Sequence, residues 1–140
     1  GNAVWCSFPS NHGEASRTSG IWTTDRSGSL GYNFGRDDLG DADGYFTNSF
    51  GGTSSACPGA AGVAALVLSM NSSLTREEVA SVLRESCDKI DAGNGAYDGD
   101  GRSRWYGYGR LNAERAVRIA AGLNPLAAAP STPTEIRIMP

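Results

Sequence analysis

At 140 residues, 39% hydrophobic and 19% charged, the chain is long enough for one domain with a buried core and lies outside the disordered range. A net charge of -3, a single lysine (Lys89) and scattered arginines leave no basic face, which argues against a dedicated nucleic-acid binder. No run reaches the roughly 18 apolar residues of a bilayer span and no charged-then-apolar leader opens the chain, so no membrane span is expected.

Taken in chain order, "AVWCSFP" is a short apolar run closed by Pro9 and predicts a buried strand. The polar loop "NHGEASRTSG" follows, and "GIWTTD" predicts a second strand bounded by Gly20 and Asp25. Residues 26–44 lack a sustained period and are rich in Gly and Asp, which predicts a long surface loop of the kind that often carries function. "YFTNSF" then returns the chain to the core.

From Pro58 the run "PGAAGVAALVLSM" has no polar face, which predicts a helix buried on all sides, with its proline in the first turn. In "SLTREEVASVLRESC", Thr75 and Glu78 form a capping box, and Val79, Val82, Leu83 and Cys87 fall on one helical face. A glycine-rich loop leads to a third helix in "RLNAERAVRIAAG", with Asn112 as its N-cap and Gly122 as its stop. Four of the six prolines lie in residues 124–140, so this Ala/Pro-rich stretch reads as a linker or tail after a domain of residues 1–123.

Cys6, Cys57 and Cys87 are too few and too widely spaced for a metal motif or a disulfide framework. They are read as small buried hydrophobes, with one disulfide pairing left open. Trp5, Trp22 and Trp105 are read as core or loop packing and not as a ligand platform.

The sharpest chemical signal is "GGTSSACPG" ahead of the apolar helix. A hydroxyl nucleophile gains from a helix N-terminus, whose unpaired amides and dipole favour developing negative charge. Glycines before it let the backbone approach a substrate. The alternative is that "TSSA" is only a helix cap, a position that serine and threonine favour anyway.

Gly52, Thr53, Ser54, Ala56, Pro58, Ala61 and Gly62 match the pattern G-T-S-x-A-x-P-x-x-A-G, which resembles the serine-nucleophile motif of subtilisin-like serine proteases, the subtilases. "GNAVWCSFPS" is similar to the family's strand ending in Ala-Pro, with Phe8 in place of the alanine. "GIWTTD" is similar to the segment before the serine in kexin-like members, and "YGYGRLNAERAV" to the start of a later family helix. The resemblance covers roughly residues 1–121. It implies an α/β fold, the C-terminal portion of a three-layer α/β/α domain with a mostly parallel sheet. It also implies Ser54 as nucleophile, with the Ser54 amide as one oxyanion donor.

A serine nucleophile needs a histidine base and a carboxylate that orients it. The single histidine, His12, stands in "NHGEAS" without the residues that follow the family's catalytic histidine, and after the Ala-Pro-like strand instead of before it. It is read as a solvated loop residue. Asn2 is likewise out of context for the oxyanion asparagine. The chain also opens without methionine on "GNAVWCSFPS". The expectation is therefore the C-terminal part of a catalytic domain, completed by an N-terminal subtilase segment carrying Asp, His and the oxyanion Asn, and unstable without it.

The expected function is endopeptidase action on protein or peptide substrates, with no cofactor required for the chemistry. The loop from Arg26 to Gly44 is expected to shape access to the cleft. A secreted or periplasmic location is implied, with an intracellular one left open. Structural calcium is considered at two acidic loops, one with Asp37, Asp38, Asp41 and Asp43, the other with Asp91, Asp98 and Asp100; neither fits an EF-hand. The rival readings are a catalytically inactive structural fragment and a binding module with a coincidental motif.

Overall fold

Ile21, Trp22 and two threonines favour extended backbone, and they form strand β1, Ile21–Thr24. It pairs antiparallel with β2, Phe46–Phe50, in the register Ile21↔Phe50, Thr23↔Thr47 and Thr24↔Phe46, with an irregularity between Ile21 and Thr23. The computed structural model describes residues 3–11 and 20–124. It divides into two compact units, Pro9–Gly59 and Gly1–Phe8 with Ala60–Pro140.

The connection from β1 to β2 is more ordered than an open surface loop. Asn33 is fully buried at its centre. Its Nδ2 donates to the carbonyls of Asp41 (2.7 Å) and Phe46 (2.9 Å), and its Oδ1 accepts from the amides of Gly35 (3.1 Å) and Arg36 (2.8 Å). Buried polar groups must be paired, and this amide satisfies itself on the loop's own backbone. Two short 3-10 turns, Gly28–Leu30 and Asp37–Leu39, lie on either side of it in the chain.

In the other unit, helix α2 (Arg76–Glu85) opens with the expected capping box: Thr75 N donates to Glu78 Oε2 at 2.7 Å, and Glu78 N to Thr75 Oγ1 at 3.3 Å. Helix α3 (Ala113–Ala120) is capped by Asn112 Oδ1, which accepts from Arg115 N at 3.0 Å, and the chain leaves the helix through Gly122 at φ 68°. Val63, Val67, Val82, Cys87, Leu111 and Ala116 form the core, with Val79 and Leu83 packed against it. Burying such side chains stabilises by about 1.5–3 kcal/mol each.

The first described segment is extended, as its composition predicts, but its pairing is short. Ser7 forms a single parallel bridge with Arg110, through Ser7 N to Gly109 O (2.8 Å) and Leu111 N to Ser7 O (2.9 Å). On its other side Arg110 bridges Asp88 antiparallel, so residues 108–111 run between the two. Trp5 stacks edge-on against Tyr108 at 5.1 Å and donates its indole N–H to Ala80 O.

Helix α1 departs from expectation twice. It spans Thr53–Met70, starting ahead of Pro58, so the proline lies inside the helix and leaves Ser54 O without its i+4 amide. The serine- and threonine-rich stretch joins the helix because Gly52, at φ 69°, reverses the chain just before it. The helix is also not buried on all sides: Val63 and Val67 face the core, while Leu66, Leu68 and Met70 are exposed, and only 11% of it is buried. Its all-round apolar pattern asks for cover that the described residues provide on one face only. At 18 residues and a mean hydropathy of 1.3, α1 has the length and composition to cross a bilayer, which an apolar run starting at Pro58 did not. A core helix passes the same test.

Candidate active site

The turn Gly51–Gly52 and the first turn of α1 set the position of Ser54. Gly52 is the residue before the helix, and its carbonyl accepts from the amides of Ser55 (3.2 Å) and Ala56 (3.3 Å). The amides of Thr53 and Ser54 belong to the first turn, where no i−4 carbonyl exists within the helix. Ser54 is exposed, and it lines a shallow depression of about 310 Å³ together with Asn11, Tyr32, Ser49, Phe50, Gly51 and Gly52. A hydroxyl there faces open space beside first-turn amides and the positive end of the helix dipole, an arrangement suited to an anion forming next to Ser54.

The segment Ser10–Asn11 grips this turn. Gly52 N donates to Asn11 O at 2.9 Å. Ser10 Oγ lies 2.7 Å from Gly52 O and 2.5 Å from Ser55 Oγ, which is itself 3.1 Å from Gly52 O. Gly51 makes room for the Asn11 amide, since a Cβ there would stand 1.3 Å from Asn11 Oδ1. That oxygen is buried and has no hydrogen-bond partner. Sequence reading missed Ser10 and Asn11 because nothing local marks them; their role arises from contacts more than 40 residues away in the chain.

His12 lies outside the described residues, as does the tail from residue 125. The described residues contain no histidine, so none is seen among the described neighbours of Ser54.

The cysteines do not behave as one set. Cys87 is buried, Cys6 half-buried and Cys57 exposed on α1, so the reading of three buried thiols fails for Cys57, for the same reason that α1 is uncovered. The Cys87 thiol donates to Leu83 O at 3.2 Å; its proximity lowers the Cys6 pKa to about 7 against the opposing effect of burial, while Cys87 itself is pushed up. None of the three tryptophans is buried in a core; all are exposed, Trp5 against Tyr108 and Trp105 under the Arg104 guanidinium at 4.8 Å.

In the acidic loops Asp38, Asp41, Asp91 and Asp98 use their carboxylates locally. Asp38 pairs with Arg36 (2.6 Å), and Asp41 Oδ1 accepts from Phe46 N (2.8 Å). Asp98 Oδ1 accepts from Asp100 N (3.1 Å) and Arg102 N (2.8 Å). Asp91 accepts from Asn94 Nδ2 (2.9 Å) and Tyr106 Oη (3.3 Å). Beside the second loop the Lys89 ammonium donates to the carbonyls of Gly101 and Tyr108 and sits 4.6 Å from the Tyr97 ring centre, a cation already in place. Among the described residues no three His, Cys, Asp or Glu side chains gather as a metal-binding group.

The model of the subtilase family matches residues 36–109, more than half of the chain, and the match includes the turn that carries Ser54. The chain belongs to the subtilase family. It is 60% identical over 125 residues to a "Calcium-dependent protease" of Nostoc sp. and 59% identical over 125 residues to the protein of that name from Trichormus variabilis. Each match covers 89% of this chain and 19% of the relative, so the chain spans about a fifth of the length of these relatives. Among solved structures, a serine protease of Aeromonas sobria superposes with a TM-score of 0.66 at 26% identity, over 79% of this chain and 24% of that one. The fold is accordingly that of an α/β subtilisin-like fragment, in which the parallel pairing among the described residues is the Ser7–Arg110 bridge.

Proposed function

We propose that this chain is the nucleophile-bearing part of a subtilisin-like serine endopeptidase. Ser54 Oγ attacks the scissile peptide carbonyl, and its proton passes to a histidine that an aspartate orients. Both come from a complementary N-terminal subtilase segment, upstream or on a separate chain, which also carries the oxyanion asparagine. The Ser54 amide, in the first turn of α1, donates to the developing oxyanion. The protonated histidine then gives its proton to the amine nitrogen as the C–N bond breaks. Water, deprotonated by the same histidine, hydrolyses the acyl-enzyme, and the histidine returns the proton to Ser54 Oγ.

The observation that carries this reading is the placement of Ser54, an exposed hydroxyl at the start of α1 opening onto a depression. Family membership supports the reaction class. The exposed Leu66, Leu68 and Met70 support a covering segment, because apolar side chains of that size gain by leaving water. Residues 1–123 act as one part of the catalytic domain and residues 124–140 as a tail. The protein is secreted or periplasmic.

The acyl transfer needs no cofactor. Calcium is part of the names of the Nostoc and Trichormus relatives; in this chain it would be structural, and among the described residues the two acidic loops gather no group of three carboxylates to hold it.

The test is Ser54→Ala in the assembled protein with a peptide substrate. Loss of turnover with an unchanged melting temperature is expected. Retained turnover would overturn the assignment of Ser54. Co-purification of a segment bearing His and Asp tests the second half of the proposal.

A further inference from the structure

Two glycines, Gly51 and Gly52, lead into helix α1, and glycines leave a chain loose unless something holds it. Gly52 O accepts the first helical amides from Ser55 and Ala56, and hydroxyls from two directions also reach it. Ser55 comes from within the helix. Ser10 comes from 42 residues away, and its Oγ is close to both Gly52 O (2.7 Å) and Ser55 Oγ (2.5 Å). Two hydroxyl protons serve three close oxygen pairs. With Ser10 donating along its 2.7 Å contact, Ser55 donates to Ser10, and the longer Ser55–Gly52 contact of 3.1 Å carries no proton. Ser55 is buried although it is polar, so this pair is also what satisfies its hydroxyl.

We infer that Ser10 is a positioning residue for Ser54, acting through the Ser10–Ser55–Gly52 hydrogen-bond cluster. This rests on the reading of Ser54 as nucleophile. The Gly52 carbonyl fixes the plane of the peptide that joins Gly52 to Thr53, one residue before Ser54. With Gly52 N held on Asn11 O, both polar groups of Gly52 are tied to the segment Ser10–Asn11. Losing the Ser10 hydroxyl frees one of those ties and lets the Ser54 hydroxyl and amide drift together. Ser10 is not among the residues lining the depression, so binding of a peptide is left alone while the reacting geometry is degraded. A displacement on the scale of 1 Å costs up to about 100-fold in rate, and a loss of about tenfold is expected for one tie of two.

The experiment compares Ser10→Ala, Ser10→Thr and the unaltered protein, each assembled with its complementary segment. It measures the rate of fluorophosphonate labelling at Ser54, kcat and KM on a peptide substrate, and the melting temperature. Ser10→Ala should label about tenfold more slowly and lose kcat with KM unchanged. Ser10→Thr, which keeps the hydroxyl, should recover most of the rate at an equal or lower melting temperature. Labelling of Ser10→Ala at the unaltered rate overturns the inference, as does a threonine variant as slow as alanine, or a loss that follows the melting temperature. Failure of the unaltered protein to label at Ser54 overturns the nucleophile assignment itself, and the inference with it.

Discussion

Arg115 Nη2 lies 2.7 Å from Asp88 Oδ1, and both side chains are buried. The same guanidinium donates through Nη1 to the carbonyls of Ser86 (3.2 Å) and Cys87 (3.4 Å), just beyond the end of α2, so it neutralises a carboxylate and satisfies a helix terminus at once. Removing one partner of a buried pair strands the other. Asp88→Ala and Arg115→Ala should each destabilise by about 3–5 kcal/mol. Arg110 also approaches Asp88, at 3.5 Å, but its side chain is 48% exposed, and Arg110→Ala should cost less than about 1 kcal/mol. Urea unfolding of the three variants in the assembled protein decides this; an Asp88→Ala loss no larger than that of Arg110→Ala would contradict it.

Asp25 accepts the Asn33 amide at 2.7 Å and the Arg26 amide at 2.8 Å, and these bonds, that of Asn33 foremost, hold its carboxyl below the usual aspartate value. A carboxyl depressed in the folded state adds stability above its unfolded pKa, near 3.9, and loses it as pH falls through the lower folded value. Hydrogen exchange at the Asn33 amide, corrected for the intrinsic rate, should therefore stay flat from neutral pH down to about 4 and speed up below it. In Asp25→Asn the protection should be weaker at neutral pH and lack the acid-side change.

Cys6 reacts as a thiolate, and its pKa of about 7 comes from the Cys87 thiol. Its alkylation rate by iodoacetamide should rise with pH through a midpoint near 7. Cys87→Ala should move that midpoint up to the ordinary thiol range, near 8.5. An unmoved midpoint would show that Cys87 is not the cause.

Asp98 Oδ1 organises its loop through the amides of Asp100 and Arg102. Asp98→Ala should destabilise the assembled protein by about 1–3 kcal/mol, as expected for losing hydrogen bonds to a charged acceptor. The loss should be the same in excess calcium and in chelator. A loss confined to the calcium-loaded sample would make Asp98 a ligand.

Much of this could be read from sequence where the cause is local. The capping box of Thr75 and Glu78, the Asn112 cap and the Gly122 stop depend on residues within four positions of each other, and all stand where expected. Strand β1 followed from its β-branched and aromatic content. What was not legible depends on distant partners. Asn33 as the hub of the loop, Ser10 against Ser55, and Arg115 closing α2 each join segments without a local signal. The start of α1 was misplaced because Pro58 reads as a first-turn residue, whereas a positive φ at Gly52 lets the helix begin earlier. Its expected burial failed for a different reason: the apolar pattern reports a need for cover, not where the cover comes from.

The central claim is that Ser54, and neither Thr53 nor Ser55, is the reactive hydroxyl. Ser54 is exposed, whereas Ser55 is buried with its hydroxyl 2.5 Å from Ser10. The assembled protein should be treated with a fluorophosphonate and digested with trypsin, and the peptide of residues 37–76 sequenced by mass spectrometry. A single adduct on Ser54, abolished by Ser54→Ala, is the predicted result. An adduct on Thr53 or Ser55, or none under conditions where the protein cleaves peptides, would contradict it.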